Sequence, residues 1–497
     1  MLYRRAKPAI WLVMAVCLTA TSCAAIGARP EGGPSTDGRP NVVFVLTDDL
    51  SMNLVQYMPN VLGLEKAGTT FGNYTVTDSL CCPSRSSIFS GKFPHDTGVF
   101  TNTGADGGFN VFHSRGEENN TFATALRRAG YRTAMMGKYL NGYKPVNPLG
   151  GDQPYVPPGW TEWDVAGNGY PEYNYNLNEN HQVQHYGHTP DDYLTSVLSG
   201  KASDFITSSA EAHAPFLLEV ATFAPHAPYT PAPQDVDAFP ALGAPRGPSF
   251  DTLPTAPPPW LANRAPLSAQ QQSRIDTIFR KRVQDVQSVD RMIGSLESTL
   301  AKAGVANDTD IVFSSDNGYH LGEYRLPAGK MTAFDTDVHV PLVVAGPHIA
   351  PGRAVSDPVQ NIDLCPTFEE LGGAAVPADI DGHSLVPLLA GRTEADWRTA
   401  SLTEHHGPDT DPADPDSPGK AGANPPTYNA LRTITYTYVE YQDGSKEYYD
   451  RTNDPDELHN IVAQLPPARL ADLHNALTAT TNCHGQAACW NAGHLAH

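Results

Sequence analysis

Apolar and polar positions along the chain alternate between two rhythms. Residues 41–47 form an unbroken apolar run that stops at Asp48 and Asp49. A run that short, apolar on both faces, predicts a buried strand of a parallel sheet. Phe122 to Arg128 has helical spacing and is stopped by Gly130. Tyr131 to Met136 and Phe216 to Thr222 read as further strands. Ile278, Phe279, Val283, Val286, Val289, Ile293 and Leu296 recur at helical spacing, in a helix expected to end near Gly304. Asp310 to Ser315 and Val340 to Ala345 follow as strands. Strands alternating with helices predict an α/β fold with a large, mostly parallel sheet covered by helices on both faces.

Two proline-rich stretches interrupt this rhythm. Residues 228–260 read as a long surface connection. Residues 406–427, rich in Pro, Asp and Gly, read as a mobile loop. Beyond it, Leu431 to Tyr441 and Glu447 to Tyr449 predict a hairpin, and Pro466 to Thr478 a final helix. The expected organisation is a signal over residues 1–23, a tether over 24–39, a catalytic domain over 40–394, and a smaller C-terminal α+β domain over 395–497.

The signal is expected from Arg4, Arg5 and Lys7 followed by a short apolar run, Ile10 to Ala20. Thr21-Ser22-Cys23 resembles a lipoprotein cleavage site. Cys23 would then carry lipid and anchor the chain to a membrane; simple cleavage and secretion is the alternative. Either way the protein is expected to be exported. Cys483 and Cys489 then suit a small-loop disulfide, and Cys365 a buried thiol. The formal net charge of -21 argues against nucleic acid as a partner.

The candidate chemistry sits at strand ends, where ligand sites of parallel sheets gather. Asp48 and Asp49 follow the first strand, Lys138 follows another, His226 a third, and Asp316 and Asn317 a fourth. The central motif is Cys81-Cys82-Pro83-Ser84-Arg85, running on to Ser90-Gly91. Pro83 suits the first turn of a helix, whose N-terminus favours an anion.

Cys-x-Pro-Ser-Arg followed by a hydroxyl-Gly pair resembles the sulfatase signature. Gly137-Lys138-Tyr139-Leu140-Asn141, Ala224-Pro225-His226-Ala227-Pro228, Phe279-Arg280-Lys281-Arg282, Ser315-Asp316-Asn317-Gly318-Tyr319-His320 and Asn361-Ile362-Asp363-Leu364 extend the resemblance over nearly the whole chain. It is closest to the N-acetylglucosamine-6-sulfatases and the extracellular heparan endosulfatases. The resemblance implies an alkaline phosphatase/sulfatase-like fold and sulfate-ester hydrolysis on sulfated N-acetylglucosamine-type glycans or aryl sulfates. It implies that Cys81 is converted to formylglycine by a formylglycine-generating enzyme before folding. Asp48, Asp49, Asp316 and Asn317, with the modified Cys81, match the ligands of a divalent cation. Hard oxygen donors suit calcium, or else magnesium. Arg85, Lys138 and Lys330 match the cationic residues around the sulfate, and His226 the histidine that protonates the leaving oxygen.

One departure stands out. Many arylsulfatases carry a histidine where this chain has Leu140. Asn141, His320 or water are the candidate replacements, and His320 and Asn141 are also candidate substrate contacts. Two other readings compete: a phosphomonoester or phosphonate hydrolase of the same superfamily, and an inactive glycan-binding envelope protein.

Overall fold

A computed structural model describes residues 38–146, 149–150, 153–392, 396–412, 414–418 and 422–495. The expected signal, Cys23, and the tether up to residue 37 lie outside the described residues, as does the expected domain boundary at 394–395. Among the described residues no helix is long and apolar enough to cross a membrane.

The main sheet has ten strands: β1 (Asn41–Thr47), β2 (Thr69–Phe71), β3 (Arg132–Lys138), β4 (Glu162–Ala166), β5 (Tyr175–Glu179), β6 (Gln182–Tyr186), β7 (Phe216–Ala221), β8 (Thr309–Ser315), β9 (Leu342–Ala345) and β10 (Arg353–Val355). Their order is β10-β2-β9-β8-β1-β7-β3-β4-β5-β6. From β8 to β4 all neighbours run parallel. The antiparallel strands lie towards the two edges.

Strand β1 shows why the apolar run is continuous. Val43 and Val45 enter one core, while Val42, Phe44 and Leu46 enter the core on the opposite face. Side chains of a strand alternate faces, so a strand covered on both sides needs apolar residues throughout. The first core is roofed by α2 (Leu194–Glu211) and α3 (Ala269–Ala303). In α3 Ser268 caps the start and Gly304, at φ 76°, ends it. The second core is covered by α1 (Cys81–Ser90) and α4 (Leu364–Leu371).

The C-terminal unit is a four-stranded antiparallel sheet of β11 (Ala400–His405), β12 (Tyr428–Thr433), β13 (Tyr436–Tyr441) and β14 (Lys446–Asp450), backed by α5 (Pro467–Thr481) and α6 (Gln486–Ala492). Its core of Leu402, Leu431, Tyr438, Leu473 and Leu477 also holds Phe93 and Ile362 from the main body.

Two expectations are corrected here. Leu431 to Tyr441 is two strands, because the chain turns at residues 434–435 and β12 pairs with β13. The helix after Pro466 is not the last, since α6 follows and is tied to the end of α5 by the Cys483–Cys489 disulfide. Cys365 is a buried free thiol, as expected.

Candidate active site

The carboxyl ends of β8, β1, β7 and β3 lie side by side, and their trailing residues converge on the start of α1. Asp48 and Asp49 leave β1 together. Asp49 takes φ 64°, a left-handed conformation that Asp tolerates better than most residues. Its N–H donates to Asp316 Oδ1 at 3.1 Å, and its carbonyl accepts from Arg282 Nη2 on α3 at 2.5 Å. Lys138 ends β3 directly after Gly137. A Cβ on Gly137 would lie 1.9 Å from the Ala221 carbonyl oxygen, so only glycine lets β3 approach β7 there.

Cys81 is the first residue of α1 and is fully buried. The polar neighbours within hydrogen-bonding reach of its sulfur are Lys330 Nζ at 2.9 Å, Asp48 Oδ1 at 3.1 Å, Asp416 Oδ2 at 3.5 Å and Asp49 Oδ1 at 3.9 Å. Arg85, one turn on, donates from Nε to Asp316 Oδ2 at 2.8 Å and from Nη1 to the Lys138 carbonyl at 2.9 Å. Lys138 Nζ lies 2.6 Å from Asp48 Oδ2. Lys330 Nζ lies 2.5 Å from Asp49 Oδ1 and 2.9 Å from Asp416 Oδ1. Asn317 donates from Nδ2 to Asp49 Oδ1 at 2.7 Å.

His226 has a readable protonation state. Its Nδ1 lies 2.8 Å from the Ala227 carbonyl, which can only accept, so Nδ1 carries a proton. Its Nε2 lies 2.8 Å from Asp416 Oδ1 and 3.7 Å from Asp49 Oδ2. Burial pulls its pKa down, but the carboxylates of Asp49, Asp48 and Asp416 outweigh burial and hold it up at about 9. With Nδ1 on a carbonyl and Nε2 facing the Asp416 carboxylate, the ring is placed to carry a second proton on Nε2, aimed into the pocket.

The other shifts have the same origin. Burial, with Asp316, Asp416 and Asp48 nearby, pushes the Cys81 thiol well up. Reactive cysteines sit in the opposite, electropositive setting. Burial raises Asp48 despite Lys138. Asp316 and Asp416 are held well below the usual carboxylate range against burial, by Arg85, Lys138 and Lys330 in the first case and by Lys330 and His226 in the second.

The oxygen donors fit a hard cation. Asp48, Asp49 and Asp316 converge, and Asn317 Oδ1 is a buried acceptor with no partner among the described residues. A cation is the natural neighbour for an acceptor that no donor reaches. Asp48, Asp49, Cys81 and His226 have ligand atoms all within 4.8 Å of one another.

Three contributors escaped the sequence reading. Asp416 comes from the expected mobile loop, but its side chain turns inward and is buried. Asn102 holds it, donating from Nδ2 to Asp416 Oδ2 at 2.7 Å while its Oδ1 accepts from the Cys82 N–H at 2.9 Å. Tyr170 lies under Lys138, whose Nζ is 5.1 Å from the ring centre, and 4.6 Å from the His226 ring. Only for Asp416 was there a signal, four aspartates close together in residues 409–416.

Of the two residues proposed to stand in for the missing histidine, neither touches the Cys81 sulfur. Leu140 itself is buried in the apolar core. Asn141 sits behind Tyr170, reaching its hydroxyl at 3.4 Å. His320 is fully buried, with Nδ1 on Asp337 at 2.9 Å.

A parallel sheet with acids, cations and a helix N-terminus at its carboxyl edge defines an α/β protein whose site is built to handle an anionic group. Residues 40–374 match the Sulfatase family model, and residues 322–482 match a second model, that of the N-sulphoglucosamine sulphohydrolase C-terminal region. The chain belongs to the sulfatase family and hydrolyses sulfate esters. It is 37% identical over 476 residues to N-acetylglucosamine-6-sulfatase from Homo sapiens, covering 90% of this chain and 85% of that one. It is 34% identical to the extracellular sulfatase SULF-1 homolog of Drosophila melanogaster, over 76% of this chain and 34% of that longer protein. Among solved structures, one in complex with its substrate D-glucosamine-2-N,6-O-disulfate superposes with a TM-score of 0.72 at 24% identity, covering 89% of this chain and 97% of the other. The phosphonate monoester hydrolase of Silicibacter pomeroyi shares the fold at a TM-score of 0.66 and 23% identity, covering 88% and 93%.

Proposed function

We propose that this sulfatase removes the 6-sulfate of N-acetylglucosamine or glucosamine in sulfated glycans, using a formylglycine made from Cys81. The observation that carries the reading is an anion already held in the pocket. The Asp416 carboxylate touches His226, Lys330 and Asn102 at 2.7 to 2.9 Å and faces the Cys81 sulfur. A sulfate group presents the same kind of acceptors to the same donors. The substrate is taken from the relatives: those named above include an N-acetylglucosamine-6-sulfatase and a protein solved with a glucosamine disulfate.

Asp48, Asp49, Asp316 and Asn317 would hold a divalent cation, calcium or magnesium. Such an ion supplies Lewis acidity towards the sulfate and lowers the pKa of the attacking group. Formylglycine would supply, in its hydrated form, a nucleophile that a buried thiol does not. Arg85 and Lys138 orient the site by fixing Asp316 and Asp48. Lys330 offsets charge on the sulfate oxygens, and His226 Nε2 gives its proton to the leaving oxygen. Export fits the Cys483–Cys489 disulfide and the relatives named extracellular.

Mass spectrometry of the Cys81 peptide from the native host tests the reading, paired with sulfate release from 4-nitrocatechol sulfate and N-acetylglucosamine 6-sulfate. The expected result is an aldehyde at Cys81 and turnover of both, lost with a chelator and restored by calcium. An unmodified thiol in a chain that still releases sulfate would overturn it.

A further inference from the structure

The pocket around Lys330 and Asp416 is small, about 130 Å³. It adjoins a cavity of about 730 Å³, and the two share Ala227, Tyr319 and Ala328 in their walls. The wall formed by α3 presents Arg274 and Lys281 to this cavity. Seven residues apart is about two turns, which puts both on one helix face roughly 10 Å apart. Both are exposed, and among the described residues neither has an ion pair or hydrogen bond. The wall also carries Tyr229 and Tyr319, whose hydroxyls are 2.6 Å apart. Arg282 lies 4.2 Å from the centre of the Tyr319 ring and braces it.

We propose that this cavity is a subsite for an acidic sugar, the neighbour in the glycan chain of the sugar whose ester is cleaved. The proposal rests on the reading of the substrate as a sulfated glycan. A carboxylate or sulfate on the neighbour would pair with Arg274 and Lys281, and the tyrosine wall offers apolar surface to a sugar ring. Charge selects this occupant. With a net charge of -21 the surface as a whole repels polyanions, so an anionic chain is drawn in only where local cations stand uncompensated. Buried carboxylates already occupy Lys138 and Lys330, whereas among the described residues none pairs with these two.

The test is the double variant Arg274→Ala, Lys281→Ala, compared with the charge-keeping Arg274→Lys. Two substrates are used: 4-nitrocatechol sulfate, too small to reach the cavity, and a 6-sulfated tetrasaccharide with acidic neighbours. The alanine variant should lose roughly tenfold or more in kcat/KM on the tetrasaccharide, chiefly through KM. It should stay within about twofold on the aryl sulfate. Arg274→Lys should keep most of the tetrasaccharide activity. Equal losses on both substrates, or no loss on the tetrasaccharide, would overturn the subsite. Calorimetry with the same tetrasaccharide lacking the 6-sulfate separates this outcome from failure of the substrate reading. Wild type should bind it and the alanine variant about tenfold more weakly, whether or not sulfate is released. No binding by wild type rejects the subsite while leaving sulfate-ester chemistry at Cys81 untouched.

Discussion

The pocket around Cys81 and the cavity beside it share a wall, yet their cations live under different rules. Lys138 and Lys330 are each 3% exposed and locked to carboxylates at 2.6 and 2.5 Å. Arg274 and Lys281 are exposed and meet no partner among the described residues. A buried charge costs several kcal/mol unless it is paired, so the pocket's charges stand or fall as a network. An exposed charge costs almost nothing to keep and little to lose. Chemistry is thus fixed by folding, whereas recognition next to it is free to vary.

The sharpest break is Cys81→Ala. Turnover should fall roughly ten-thousandfold, with little change in Tm, since a small neutral methyl group replaces the small neutral formylglycine proposed at this position. Sulfate release and calorimetry read the two effects separately. Lys330→Met tests the network itself. It removes the ammonium that Asp49 and Asp416 share, so a stability loss of about 3 kcal/mol should accompany roughly a hundredfold loss of kcat. Lys281→Met should shift stability by no more than about 0.5 kcal/mol, and equal losses in urea melts would erase the contrast.

Between these extremes lies the half-buried pair His95–Glu404, which joins the main body to β11 at 2.8 Å. Burial lowers the His95 pKa, but Glu404 more than offsets this and raises it from 6.5 to about 9. A raised folded-state pKa gives stability that is full below pH 6.5 and fades as pH rises through about 9. The expected loss is about 2 kcal/mol, after a discount for partial exposure, and His95→Gln should flatten that part of the Tm profile between pH 6 and roughly 9.5. A more modest effect on ligand binding is expected for Asp416→Asn. Replacing the carboxylate that competes for the sulfate position should tighten inhibition by inorganic sulfate about tenfold. Unchanged inhibition would mean that Asp416 and sulfate do not share a position.

The legible parts of the molecule are those where composition and geometry are coupled locally. Strand β1 was visible because a strand covered on both faces must be apolar throughout. Asp48, Asp49, Asp316 and Asn317 were visible because polar residues ending such strands have few structural reasons to be there. Helix α3 announced itself through its period, and Ser268 and Gly304 bound it. Asp416, Asn102 and Tyr170 were hidden because loops carry no period, and a loop's path is decided by what it packs against. The turn at 434–435 was missed for a related reason: β12 and β13 are both short strands with a similar mix of aromatic, apolar and polar residues, and only two residues separate them.

The depth of Cys81 has a consequence for how the active protein is made. The residue has no accessible surface in the folded chain and is covered by β1, Lys330 and the loop bearing Asp416. An enzyme that oxidised it, as proposed above, would need the motif as an extended, solvent-facing peptide. Maturation would then be a race between oxidation and collapse of the sheet, with no second chance once the sheet had closed. The active fraction of a preparation would be set by kinetics, and slowing folding, by cooling or by a holding chaperone, would raise it without altering a single residue.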